Sequence, residues 1–286
     1  MFGLLDFIDE WVKSLFIESI TSNYTKMFAN VNEEVGNIAV QVGASPFDWN
    51  PAIHNMIRTL SESVIVPIAG IILTFVLCYE LITMILERNN MAEFDIANIF
   101  KWIMKTFIAT YILTHTFDIV MAVFDVAQHV VNESAGLISG SLDVGIALAE
   151  LEIYLEAMSV GELLGLWLES NILGLAMQAI SLCIFIIIHG RMLEIYLTVS
   201  VAPIPFSTMA NREWSSIGNN YLKSLFALGF QGFLIMVCVA IYAVLLTTST
   251  SADIHTSLYM AVGYSLLLSM ILFRSGSLSR SLFGAN

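Results

Sequence analysis

Ionisable groups inside an apolar chain are where chemistry would have to happen, and this sequence offers few of them. Glu80 sits about three-quarters of the way along a long apolar run, and His115 and Asp118, three residues apart, share one helical face of another. Gln231 lies within a fourth run, and His189, Arg191 and Glu194 cluster at the edge of a third. Such groups are costly in hydrocarbon and face a bundle interior, a partner or water. Two readings follow. Local hydrogen bonds satisfy Glu80 and Asp118, or Glu80, His115, Asp118, Gln231 and Glu194 line a polar path or fix contacts between subunits. A proton or ion relay is a third reading, although the carboxylates lack the repeated spacing on paired half-helices that transporters use.

Other chemistries find little to work with. Cys78, Cys183 and Cys238 sit in apolar runs without a CxxC pair, which suits helix packing rather than a disulfide or a metal. The five histidines are scattered, with no HExxH. No catalytic constellation and no nucleotide fingerprint appear, so the chain reads as something other than an enzyme. The composition calls for no cofactor and no metal, and leaves room for a bound phospholipid.

The elements that position these residues are membrane spans. The 286 residues are 57% hydrophobic and 12% charged, about half the charge of an ordinary globular domain. Crossing about 30 Å of hydrocarbon takes roughly 20 apolar residues as helix. Five windows meet or approach that: Val64–Leu86, Trp102–Phe124, Ile172–Ile188 (extendable toward Leu163), Leu225–Thr247 and Leu258–Phe273. The fold class is therefore all-α, a polytopic bundle of about five spans. A sixth stretch, Met192–Phe206, is too short to cross and carries Pro203 and Pro205, which remove backbone donors. It reads as a helix extension or a re-entrant or interfacial piece that breaks at these prolines. A long third helix running through Arg191 is the competing topology.

The positive charges orient the bundle. Arg88, Lys101 and Lys105 follow the first span, Arg191, Arg212 and Lys223 follow the third, and Arg274 and Arg280 follow the last. The interval between Lys105 and Arg191 has no Lys or Arg but many carboxylates. The positive-inside rule puts the basic segments in the cytoplasm, the N-terminus outside and the C-terminus inside a bacterial cytoplasmic membrane. Lys101, Lys105, Arg191, Arg212 and Lys223 are then topology determinants or contacts for an incoming substrate, with the first reading favoured. The net charge of −13 speaks against nucleic-acid binding over the whole surface.

Residues 1–63 are expected outside the membrane or on its outer face, with residues 64–286 forming the bundle and an acidic outer loop at about 125–170. Leu4, Ile8, Trp11, Val12 and Leu15 share one face of an amphipathic helix, which lies on the membrane or packs against another subunit. A second helix carries the seam Phe28, Val31, Val35, Ile38 and Val42 and stops at Gly43 and Pro46. A short amphipathic candidate in the outer loop has Leu148, Leu151, Leu155 and Met158 on one face.

Particular strings carry a family likeness: Val66-Pro67-Ile68-Ala69-Gly70, Phe100-Lys101-Trp102, Ala202-Pro203-Ile204-Pro205, Met209-Ala210-Asn211-Arg212-Glu213-Trp214, Ser224 to Phe233, and Ser281-Leu282-Phe283-Gly284. Over nearly the whole chain the sequence resembles the TrbL/VirB-type polytopic membrane subunit of type IV secretion (conjugation) systems, the sixth VirB component. The likeness is greatest to the short form of Gram-positive conjugative elements. The resemblance implies a channel or scaffold subunit that helps relaxase-bound single-stranded DNA across the membrane. It also implies a homo-oligomeric ring, often of five, with secretion ATPases, a coupling protein and other membrane subunits as partners. The alternative class is a small-solute or ion transporter with Glu80 and Asp118 in a polar path.

Overall fold

The computed structural model describes residues 2–86, 96–135, 153–249 and 254–285, and no strand occurs among them. Helix α1 spans Phe2–Gly43, α2 Pro46–Trp49 and α3 Pro51–Leu86. Helices α4 (Ile96–Thr114) and α5 (Thr116–Ala135) follow, then α6 (Val160–Ser200), α7 (Pro203–Thr208), α8 (Ser215–Ser249) and α9 (Ile254–Phe283). Helices α3, α6, α8 and α9 are each long and apolar enough to cross a membrane, and the bent pair α4–α5 makes a fifth crossing if taken as one span. The chain is a polytopic all-α membrane protein.

Local chemistry sets the boundaries. Ser45 caps α2 by accepting from the Asp48 N–H at 3.0 Å, and Asn50 caps α3 by accepting from Ile53 at 3.0 Å. Each is followed by a proline, whose missing N–H costs nothing at a first helical position. Ser159 precedes α6 with one half of a capping box: its N–H and its Oγ both donate to the Glu162 carboxylate, at 2.8 and 2.7 Å. Inside α3 the turn Ser61–Ile65 is π-helical. Pro67, two residues on, has no N–H for the carbonyl four residues back, and the wider turn takes up the irregularity.

Several expectations change. The two separate N-terminal helices are one 42-residue helix, α1. The helix that holds the first apolar window starts at Pro51, so residues 51–63 are continuous with it. The second apolar window is not one straight helix: α4 and α5 meet at His115 with a bend of 67°. Three consecutive polar side chains explain the bend. Thr114 Oγ1 donates to the Thr110 and Tyr111 carbonyls, Thr116 Oγ1 to Ile112 and Leu113, and His115 Nδ1 lies 3.0 Å from the Tyr111 carbonyl. Side chains that bond back to the preceding turn compete with the helical ladder. The third span is the long helix: α6 runs through Arg191 without interruption to Ser200. Pro203 opens α7 at its first turn, so the break falls at Val201-Ala202. Leu148, Leu151 and the middle of the acidic loop lie outside the described residues, while Leu155 is fully buried.

The chain divides into two compact units. The first comprises Met1–Val42, Glu133–Ile188 and Ile235–Arg274. Here α1 packs on α6: the Trp167 indole donates to Ser19 Oγ at 3.0 Å, Asn23 Nδ2 to Ser170 Oγ at 3.1 Å, and Phe16 tilts against Trp167. Ile20, Tyr24 and Met27 form the buried stripe of α1, and burial beside Glu169 raises the Tyr24 phenol. Of the amphipathic stripe, Trp11 and Leu15 are exposed; the side chains of Leu4 and Ile8 are not described.

The second unit comprises Gly43–Asn132, His189–Leu234 and Ser275–Asn286. One core joins Phe117, Val120 and Phe124 of α5 to Met192, Ile195 and Val199 of α6 and to Leu225 and Leu228 of α8. A second joins Ala69, Leu73, Val76 and Leu77, one face of α3, to Leu113 and Ala210. The charges divide unequally. Fourteen acidic and three basic residues fall in the first unit, against ten and eight in the second.

Candidate functional site

Most of the residues singled out by chemistry fall in the second unit, and its organising feature is the segment 209–214 between α7 and α8. Trp214 stacks on two rings one helical turn apart on α3, Phe75 (centroids 5.7 Å, 9°) and Tyr79 (5.5 Å, 14°). Asn211, 5% exposed, donates from Nδ2 to Glu80 Oε2 at 3.0 Å, and its Oδ1 accepts the Glu213 N–H at 2.7 Å. Lys105 of α4 pairs with the other oxygen of Glu80. The Tyr79 hydroxyl reaches Glu213 at 3.2 Å, and the Trp102 indole donates to the Leu77 carbonyl at 3.3 Å. One carboxylate in α3 thus ties together α4 and a connecting segment far along the chain.

The other members of the expected polar path are held in separate pairs. Asp118 lies 3.1 Å from Arg58, which also bonds Glu62 one turn away and sits 5.5 Å from the Phe117 ring centroid. His115 is exposed and stacks on Tyr111. Gln231 is buried and donates to Ser275 Oγ at 3.1 Å, while its Oε1 has no partner. Glu194 pairs with Arg280. The two large cavities of this unit, about 800 and 440 Å³, are lined by none of the five residues Glu80, His115, Asp118, Gln231 and Glu194. The geometry therefore brings together Glu80 and Lys105 and leaves the rest apart.

Of the basic candidates, Lys101, Arg212 and Lys223 are exposed. Arg191 is 7% exposed; its guanidinium lies 3.5 Å from the Leu228 carbonyl and its Nε has no partner. It fits because Gly232 faces it: a Cβ there would stand 2.8 Å from Arg191 Nη2. The start of α8 is equally close-packed, since a Cβ on Gly218 would lie 2.7 Å from the Pro205 carbonyl oxygen. No group of three His, Cys, Asp or Glu among the described residues is placed to hold a metal.

Sequence reasoning did not single out Arg58, Asn211, Trp214 or Arg280 as partners. Arg58 carried a local signal, its i,i+4 spacing to Glu62. The others pair with residues remote in sequence, and no local pattern marks them.

A family model described as TrbL/VirB6 plasmid conjugal transfer like protein matches residues 31–203. The match contains Val66–Gly70, Phe100–Trp102 and Ala202-Pro203, whereas Met209–Trp214, Ser224–Phe233 and Ser281–Gly284 lie beyond it, so it is shorter than the whole-chain likeness expected. No curated protein and no solved structure matches the chain.

Proposed function

Because the chain belongs to the TrbL/VirB6 plasmid conjugal transfer-like family, we propose that it is a channel or scaffold subunit of a conjugative type IV secretion apparatus. In this reading it sits in the cytoplasmic membrane with its N-terminus outside and its C-terminus inside. It oligomerises there and helps relaxase-bound single-stranded DNA across. The observation that carries the reading is the family match joined to a polytopic helical bundle. Secretion ATPases, a coupling protein and other membrane subunits are its partners.

The charge division supports a division of labour. A strand of phosphates is repelled by the strongly acidic first unit, which suits protein partners instead. The exposed Lys101, Arg212 and Lys223 of the second unit are where a polyanion would be tolerated. The Glu80–Asn211–Trp214 lock keeps Arg212 on a fixed segment. We assign these cations first to topology and only second to substrate.

The test is a clean deletion of the gene followed by mating. Transfer should fall to background and return with the gene in trans. Unchanged transfer would remove the conjugation reading. With Arg212→Glu and Lys223→Glu, the expected result is loss of correct topology or assembly. Normal topology and oligomers with lost crosslinking to DNA would instead give these residues to the substrate.

A further inference from the structure

The larger cavity of the second unit is a long groove whose lining changes character along its length. Phe100, Lys101, Met104, Lys105, Ile108 and Ile112 run down one face of α4, and past the bend at His115 the lining continues with Ile119 and Val123 of α5. At about 1.5 Å per residue, Lys101 and Ile112 are ~16 Å apart along the helix, roughly half the ~30 Å hydrocarbon thickness. The volume is about 800 Å³, within the range of specific ligand sites. Both charges are at one end. Lys105 is committed to Glu80, whereas Lys101 is exposed and has no ion pair among the described residues.

We propose that this groove binds one anionic phospholipid, its phosphate at Lys101 with Lys105 behind it and an acyl chain lying along α4 as far as the bend. Three features select this occupant. A cationic end and an apolar length match an anionic amphiphile, and basic pockets between membrane helices hold acidic headgroups. The α4 wall from Lys101 to Ile112 has the depth of one leaflet, so a headgroup at Lys101 leaves an acyl chain the whole of that wall. Lys101, near the N-terminal end of α4, can extend its ammonium toward the headgroup layer while its stem stays in the apolar wall. The proposal stands independently of what substrate the family member moves.

The experiment uses the full chain, purified without lipid, and native mass spectrometry with added phosphatidylglycerol or phosphatidylcholine of identical chains. Phosphatidylglycerol should bind about fivefold more tightly, the contribution of one lysine near a headgroup. Lys101→Gln should bring the two lipids level, and Lys101→Arg should preserve the preference. Equal binding by the unmodified protein, or a preference that survives Lys101→Gln, overturns the proposal. A second readout locates the chain: Met104→Trp should be quenched by chain-brominated phosphatidylglycerol more strongly than Ile71→Trp, an exposed position on α3. Equal quenching at the two positions, or disulfide crosslinking between copies through Met104→Cys, assigns the groove to general lipid or to a second subunit and sinks the idea.

Discussion

Replacing Glu80 with alanine should free the segment 209–214 from α3. Glu80 accepts two bonds, from Lys105 and from Asn211 Nδ2. A bond to a charged group contributes about 1.5–3 kcal/mol. The lysine half must be discounted toward ~1 kcal/mol, because the Lys105 side chain is 38% and that of Glu80 25% exposed. The Asn211 half keeps its weight, since Asn211 is buried. Together the loss is about 2.5–4 kcal/mol, which converts to roughly a seventyfold or greater rise in the population of the opened segment. Ala210, 6% exposed, sits inside that segment. A maleimide should therefore label Ala210→Cys at least about tenfold faster in Glu80→Ala than in Ala210→Cys alone. Glu80→Gln, which loses the charge but can still accept from Asn211, should lie between the two. Combining Asn211→Ala with Glu80→Ala should add less than the sum of the single effects, because both remove one bond. A labelling rate changed by less than about twofold, or full additivity, would mean that the Trp214 stack alone holds the segment and that Glu80 is incidental.

Other substitutions test other joints. Gly232→Val should force the Arg191 guanidinium to move and destabilise the protein by about 1–3 kcal/mol, measured by denaturant titration in micelles. Gly218→Ala should be worse tolerated than most surface changes, because a Cβ would meet the Met209 side chain, which can shift, and also the Pro205 carbonyl at 2.7 Å, which is backbone and cannot rotate away; expression and thermal aggregation read this. A double-mutant cycle on Arg58 and Asp118 should return under about 1 kcal/mol, since both side chains are well exposed. Ser159→Ala loses the Oγ–H bond to Glu162 but keeps the N–H bond, and should fray the start of α6 slightly, seen as faster amide exchange over the first turn. Replacing both Pro203 and Pro205 with alanine should let α6 propagate past Ser200 and cut DNA transfer; unaltered transfer would make the break incidental.

What could be read in advance follows from range of interaction. Apolar windows are a local property, so Val64–Leu86 and Leu225–Thr247 fall inside α3 and α8 as expected. The helix stop at Gly43 and the restart at Pro46 are also local. The bend at His115 escaped because Thr114, His115 and Thr116 are each unremarkable, and only their joint bonding to the preceding turn opens the ladder. Arg191 reads in the sequence as a topology determinant or a substrate contact at the edge of a span, and it is buried within a continuing helix, where Gly232 leaves it room. Glu80 carries two expectations, satisfaction by local hydrogen bonds or a place in a polar path. Its partners Lys105 and Asn211 are 25 and 131 residues away, a distance no periodicity reports.

The 41 unbroken residues of α6 amount to a rod of ~60 Å, about twice the hydrocarbon thickness of a bilayer. A tilt absorbs only part of that excess, so a large share of the rod must stand in headgroups or water. The stretch from Val160 to Ser200 has no proline, and the backbone donors that α7 gives up at Pro203 and Pro205 come only after Val201-Ala202, where the helix first stops.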